Sequence, residues 1–501
     1  MLVLPLFFVV LLWYLIICIK WKKNIFDVLE KIPGPKWYPF IGTYHLFRGV
    51  SREEIFYKFG EVVGQYAPLF RSWNGSVGEV HLMKPDHLQI VLKSSVHIIK
   101  GPLYKYLFPW LGEGVFISEG AKWFLQRKFL TSSFHFKILD SFTETFADKG
   151  LSFVKKLESK ANGTYFDIVP DSAVCTLGVI CELAMGVPLE QITDNPLRHI
   201  KNVYEMTELV IWRYWNPLVK DPFFYLLPQG RRYTKILKEL DDFSNKVIQI
   251  KRTQRLNTSK RDSMVGAESG KKNNLSFLDI IMDAKEKYGT VTNSDLRGLM
   301  NTFLLAGYET TAITISWAIF HLGNSPEIQQ KAYEELQRVV KGKRVPTTME
   351  ELHQLKFLEC IIKETLRLYP VLPLITRELT EDIQIENYTV PAGTQAVLHL
   401  FGVQRDPEHF PEPNKFDPDR FLPENLKDRH PFCYVPFSAG PRNCLGMRFA
   451  LLELKALLAS VISHYKITSM VTPEEIKFFA HVMIRSQNGI HVKIEKRDLV
   501  A

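Results

Sequence analysis

A helix that is apolar on every side can exist only inside a large fold, and one stretch of this chain reads that way. From Asp295 to Gly323, with Ser294 as the expected N-cap, Leu296, Leu299, Phe303, Leu304, Leu305, Ile313, Ile315, Trp317 and Phe320 leave no polar stripe. Other elements must therefore surround it. At 1.5 Å per residue it runs roughly 43 Å, the width of a whole domain. Its centre, Ala306 to Thr311, reads AGYETT. A glycine in a helix interior costs about 1 kcal/mol relative to alanine, and an acid and two threonines are penalised by burial unless partnered. A buried helix that gives up stability at Gly307, Glu309, Thr310 and Thr311 points to a site there. Polar residues satisfied by neighbouring helices are the alternative.

The second informative stretch is Phe437 to Gly446, FSAGPRNCLG, a glycine-rich loop with one cysteine. The run after it has Leu451, Leu454, Leu457 and Leu458 at helical spacing, which puts Cys444 just before or at a helix N-terminus. Unpaired N–H groups and the positive end of the dipole there favour a thiolate. Gly440 and Gly446 let backbone approach a flat macrocycle and adopt φ values that other residues avoid. Arg442 stands two residues before the sulfur, within reach of a haem propionate. These residues read as a haem-thiolate ligand site; a buried structural cysteine is the plain alternative.

No linker rich in Pro, Gly and Ser divides the 501 residues into two cores, so one large domain is expected. The six cysteines (Cys18, Cys175, Cys181, Cys360, Cys433, Cys444) show neither CxxC pairs nor metal-finger spacing, which argues against disulfide frameworks and zinc sites. Net charge is +9, but the basic residues are spread and carry no nucleic-acid motif. A membrane surface and an acidic protein partner fit better. Met1 to Ile19 is an uninterrupted apolar run followed by Lys20, Lys22 and Lys23. That order predicts an uncleaved N-terminal anchor with a cytosolic body, and residues 1–22 are assigned to it. IPGPKWYPFIG makes residues 23–45 a stiff, Pro-rich elbow, leaving 46–501 as the catalytic domain. Short alternating stretches up to about Ser95 predict a small sheet. Helices follow from Glu119 to about Arg377, interrupted by a polar, basic surface loop from Lys251 to Asn274. Strands are expected at Ile383–Ile385 and Ala396–Leu400, and a hairpin around Asn488-Gly489.

Phe437, Gly440, Arg442, Cys444 and Gly446 match Phe-x-x-Gly-x-Arg-x-Cys-x-Gly, and this closely resembles the haem-binding signature of the cytochrome P-450 monooxygenases. AGYETT resembles their oxygen-activating motif. By position, the resemblance makes Cys444 the metal ligand, Thr310 the residue that hydrogen-bonds dioxygen and holds a water chain, and Glu309 the proton feed. Trp123 and Arg127, four apart on one helix face, resemble the family's Trp-x-x-x-Arg, whose members bind the haem propionates with Arg442 and Arg377. A core tryptophan beside a solvated arginine is the alternative. Glu364 and Arg367 taken alone read as an exposed pair worth a few tenths of a kcal/mol. With FDPDRF downstream they resemble the Glu-x-x-Arg motif locked to a loop arginine, Arg420, that fixes the haem loop.

The resemblance runs from the elbow to the C-terminal hairpin and is strongest to the fourth family, the fatty-acid ω-hydroxylase group. There are two departures: Ala306 stands where many members carry a glutamate that esterifies the haem, and Gln404 where histidine is usual. The resemblance implies a mainly α fold with small β-sheets (α+β) and a long central helix over a non-covalent haem b. It implies insertion of one oxygen atom of O2 into a lipophilic substrate: fatty acid, terpenoid hormone or xenobiotic. Electrons come from NADPH through a separate NADPH-cytochrome P-450 reductase, since no GxGxxG or flavin motif is visible, with cytochrome b5 as a second donor. Lys122, Lys128, Arg448 and Lys455 are candidates for docking the acidic donor. Leu304, Leu305, Ala306, Leu372 and Ser486 are the expected substrate contacts, within apolar segments that include 103–116 and 371–374. The implied location is the endoplasmic reticulum membrane. A haem-thiolate isomerase acting on peroxides without O2 or NADPH is the second class, against which Glu309 and Thr310 both argue. A non-catalytic haem sensor or carrier is the third.

Overall fold

The computed structural model describes residues 25–498, apart from 39–40, 52, 133, 135, 217–218, 220, 266–275, 289–290 and 480–481. The expected anchor, 1–22, lies outside the described residues. The architecture is mainly helical with small sheets.

The apolar stretch forms one helix, Asn293–Asn324. It is long and apolar enough to cross a membrane, yet it lies mostly buried inside the protein. Its cap is Thr292 and not Ser294. Thr292 Oγ1 accepts from the Asp295 N–H at 3.1 Å, and Asp295 Oδ2 accepts from the Thr292 N–H at 2.9 Å. That reciprocal box satisfies two orphan donors, and Ser294 already lies inside the first turn. The helix Val169–Leu183 packs along it. At the crossing a side chain on Gly307 would collide with Ile180, so this glycine is also required for close helix packing.

A five-stranded sheet runs in the order Leu69–Asn74, Val77–Leu82, Gln395–His399, Leu374–Glu378, Ile99–Lys100. Val77–Leu82 and Gln395–His399 are parallel, which demands a long crossover; the helical body is the chain between them. The early sheet is interleaved with helices Ile55–Tyr66 and Pro85–Lys93. The described part of the Pro-rich elbow is fastened to this sheet. Leu29 and Ile32 are buried with Trp73 and Val80. Arg71 donates to Pro35 O at 2.8 Å and to Glu30 at 2.7 Å, and its own N–H donates to Pro33 O at 2.8 Å.

Two further expectations fail. The polar stretch from Lys251 to Val265 belongs to a helix, Pro228–Val265, because its cations face the acids of Phe277–Tyr288. Lys251 Nζ lies 2.7 Å from Asp279, and Arg255 pairs with Asp283 at 2.5 Å. Residues 266–275 lie outside the described residues. Nor does Asn488-Gly489 close a hairpin. Arg485–Ser486 pairs with Phe478–Phe479, whereas His491–Lys496 pairs with Tyr465–Ser469. The chain turns at Gly489 (φ +76°) against Asp167, whose carboxylate accepts the Ile490 N–H at 3.0 Å. A distant partner thus replaces the local one.

Candidate active site

The cysteine loop is locked before the helix Met447–His464 begins. The Cys444 N–H donates to Phe437 O at 2.9 Å. Gly440 sits at φ +67°, and a Cβ there would strike the carbonyl oxygen of Leu92. Gly446 differs: it is the N-cap at φ −89°, and a Cβ there would meet only the Phe134 ring at an ordinary 3.9 Å, so only Gly440 needs its glycine for conformation. Cys444 keeps open surface, yet burial pushes its thiol up, only partly offset by the Gly446 N–H and the Arg127 charge. Both facts hold if the open surface faces a space inside the fold. The helix end alone therefore does not make a thiolate here; a coordinated cation is what deprotonates such a thiol outright.

Opposite in character is the wall of the central helix. Leu304 and Leu305 are buried, whereas Ala306 is exposed and Thr310 half-buried. Thr310 Oγ1 donates to Ala306 O at 2.8 Å, which leaves its lone pairs free to accept. Glu309 is fully buried and forms an ion pair with Arg485, whose guanidinium lies 3.7 Å from the Tyr204 ring centre. Glu453, on the helix after Cys444, was not singled out from sequence. Burial pushes its carboxyl well above the usual range, with the Thr311 hydroxyl pulling the other way.

The expected haem-edge cations separate into two groups. Arg442 is stacked 4.2 Å from the buried Trp123 ring and donates to Ile98, Val115 and Ser118 carbonyls. Its guanidinium is depressed to about 10, first by burial and then by Arg377. Lys100, paired in register with Arg377, is pushed well below its ordinary value by burial, Arg377 and Arg442. Three buried cations thus repel one another with only neutral carbonyls bonded among the described residues, a costly arrangement that an anion would relieve. Lys100 was missed because only strand register brings it to Arg377. Arg127, whose charge also reaches Arg442, lies to one side of this group. It donates to Asn443 O at 2.9 Å and to the Asn443 side chain, beside Cys444.

Glu364 and Arg367 are fully buried and not the surface pair that the isolated motif suggests. Arg367 Nε and Nη2 hold both Glu364 oxygens at 2.7 and 2.8 Å, and the remaining donors reach Gln404, Pro413 and Lys415 carbonyls. Arg420 Nε lies 3.5 Å from Glu364. Gln404 now has a mechanism: its amide donates to Leu366 O and Arg367 O at 2.9 and 3.1 Å and accepts the Val435 N–H at 3.1 Å. It ties the end of helix Lys356–Leu368 to the approach to the cysteine loop.

Of the proposed docking cations, Lys455 is buried, bonded to Leu352 O and to Glu359 at 2.6 Å, and cannot meet a partner. Lys122 is held by Glu113 and Asp295. Lys128 and Arg448 are exposed. Leu372 and Ser486 are half-buried. A separate cavity of about 460 Å³ is lined by Leu103, Tyr104, Pro373 and Leu374, from two expected pocket segments, but not by Leu304, Leu305, Ala306, Leu372 or Ser486.

The sequence profile of cytochrome P450 matches residues 32–493. This chain belongs to the cytochrome P450 family. Cytochrome P450 4c3 of Drosophila melanogaster is 36% identical over 97% of this chain and 93% of its own length. Cytochrome P450 4V2 of Homo sapiens is 37% identical over 96% and 91%, and cytochrome P450 4c21 of Blattella germanica 37% over 94% of each. The chain is a cytochrome P450 monooxygenase. Membership implies a haem-thiolate cofactor and a redox partner that reduces it. The residues fit that P450 cofactor. A locked loop leaves Cys444 with open surface, a helix buried along most of its length is bare at Ala306, and Lys100, Arg377 and Arg442 form a buried cationic group suited to carboxylates.

Proposed function

We propose that this P450 inserts one oxygen atom of O2 into a lipophilic substrate, a fatty acid, terpenoid or xenobiotic, at the bare patch of Ala306 and Thr310. That patch is the observation that carries the reading: between Gly298 and Gly323 the helix is buried except at Ala306, Gly307 and Thr310, where a half-buried hydroxyl has its hydrogen committed to Ala306 O and its lone pairs free. Bound haem supplies oxygen activation, with the thiolate's electron donation favouring O–O cleavage. Cys444 holds it; Trp123, Arg377 and Arg442, joined by Lys100, meet its propionates, with Arg127 nearer the sulfur. Thr310 accepts a hydrogen bond from a water and so sets where a proton waits. Glu309, anchored by Arg485, lies one residue away and is the carboxyl that feeds a proton to that water. Phe437, Gly440 and the Glu364–Arg367–Arg420 node keep the sulfur in place.

The electron source in this reading is NADPH, delivered by NADPH-cytochrome P-450 reductase with cytochrome b5 as a second donor, on the face bearing Lys128 and Arg448. The body, 46–501, works at the endoplasmic reticulum membrane, with 1–22 as its anchor and 23–45 as the elbow. The test is Thr310→Ala. Haem and substrate binding persist while product formed per NADPH consumed falls about tenfold or more, the range typical of lost proton management. Unchanged coupling removes Thr310 from the reaction, and loss of haem makes its role structural.

The haem b is non-covalent, because the methyl of Ala306 cannot form an ester. Acidified organic extraction followed by mass spectrometry of the polypeptide gives the apoprotein mass alone; a residual haem mass overturns this. Without that tether, oxidation spreads over in-chain positions of a fatty acid, since preferring the strong terminal C–H bonds needs rigid positioning.

A further inference from the structure

Three cations crowd one buried place, and only one of them can readily shed its charge. Lys100 stands opposite Arg377 in strand register, and Arg442 reaches the same place from the cysteine loop. All three are buried. Lys100 Nζ lies 4.6 Å from the Tyr104 ring centre and 4.4 Å from that of Phe116, so two rings hold the end of a flexible side chain beside the guanidiniums. Ring faces attract a cation but carry no net charge. The Lys100 side chain has no hydrogen-bond or ion-pair partner among the described residues. Tyr104 is the other titratable group facing it, and burial raises that hydroxyl, so no phenolate serves as countercharge. Glu119 and Arg127 act on Arg442, and Glu119 is exposed, where water screens it.

A guanidinium holds its proton, and Arg442, at about 10, is charged at neutral pH. An amine buried beside like charge gives its proton up. Burial first, then Arg377 and Arg442, push Lys100 well below the ordinary lysine value. Two carboxylates brought among these cations reverse that balance. They supply the acceptors that an ammonium lacks here, and a charge-assisted hydrogen bond favours the protonated amine.

We propose that Lys100 is a positioning residue for haem that takes up one proton from solvent as the propionates arrive, an amine in the empty site becoming an ammonium bonded to a propionate. That the propionates lie here rests on the proposed function; the proton uptake goes beyond it. The haem affinity that Lys100 confers is fully present below its empty-site pKa, where the side chain is charged before haem arrives. It falls by up to about tenfold per pH unit as the pH climbs from there toward the filled-site value. Arginine at the same position is charged throughout and gives no such fall.

The test is the equilibrium partition of haem between the full-length haem-loaded protein and apomyoglobin, read by absorbance from about pH 6 to about pH 9, below the ordinary lysine value of about 10.4. The competitor and the Cys444 thiol act alike in every variant, so they cancel when the unaltered protein is compared with Lys100→Arg. That ratio falls about tenfold or more across the range. Lys100→Met holds haem about tenfold more weakly than the unaltered protein at the low end, the scale of one hydrogen bond to a charged group, and its ratio to Lys100→Arg does not change with pH. A flat ratio for the unaltered protein overturns the proton uptake alone. Partition unchanged in Lys100→Met at every pH takes the propionates away from Lys100 and overturns the reading beneath it as well, so the two failures are distinct. Should Lys100→Arg fail to take up haem, Lys100→Met is the pH-independent reference; should Lys100→Met fail, the ratio to Lys100→Arg decides.

Discussion

Cys444→Ser abolishes the thiolate-type absorbance of the reduced carbon monoxide complex and all NADPH-driven product formation. The four other described cysteines cannot substitute. Burial raises the thiols of Cys175 and Cys181, and those of Cys360 and Cys433 to about 11. Only Cys444 combines a loop fixed on both sides with surface open to a ligand. Serine at those four positions leaves haem content intact. A thiolate-type spectrum retained in Cys444→Ala sinks the assignment.

Arg367→Ala prevents accumulation of haem-loaded protein. The change strands a fully buried Glu364 carboxyl and removes donors from three carbonyls contributed by Gln404, Pro413 and Lys415. Breaking a buried pair by deleting one partner costs about 3–5 kcal/mol, a large share of a total stability of about 5–15 kcal/mol. The haem-to-protein ratio after expression and the thermal midpoint read this directly. Arg367→Lys does not restore it, because a point charge cannot reproduce a planar fork that serves five acceptors. Full haem occupancy in Arg367→Lys would show that charge alone suffices.

What sequence made legible was whatever repeats locally or is spaced as a motif. The central helix announced itself by lacking a polar face, and the cysteine loop by its glycines and arginine. Its cap was misplaced by two residues because Thr292 and Ser294 are both capping types; the deciding signal was Asp295, three residues after Thr292. Polar residues whose partners are remote stayed hidden. Lys100 meets Arg377 only through strand register, Gln404 reaches Val435 across a loop, and Arg485 finds Glu309 from the far end of the chain. Glu364 and Arg367 show the same limit in reverse. Their spacing suggests a surface pair, and the carbonyls that bury Arg367 lie 37 to 48 residues downstream. The Asn488-Gly489 hairpin failed because the strand before it pairs back with the nearby Phe478–Phe479 and the strand after it with the remote Tyr465–Ser469.

Arg71 gives the molecule a mechanical property. By gripping Glu30, Pro33 and Pro35 at once, it removes the swivel that a proline-rich entry segment would otherwise provide. Any pull or twist applied upstream of residue 25 is delivered to the sheet as a tilt of the whole body, as through a welded bracket. Arg71→Ala would remove the polar half of that bracket and leave the segment held by the burial of Leu29 and Ile32 against Trp73 and Val80.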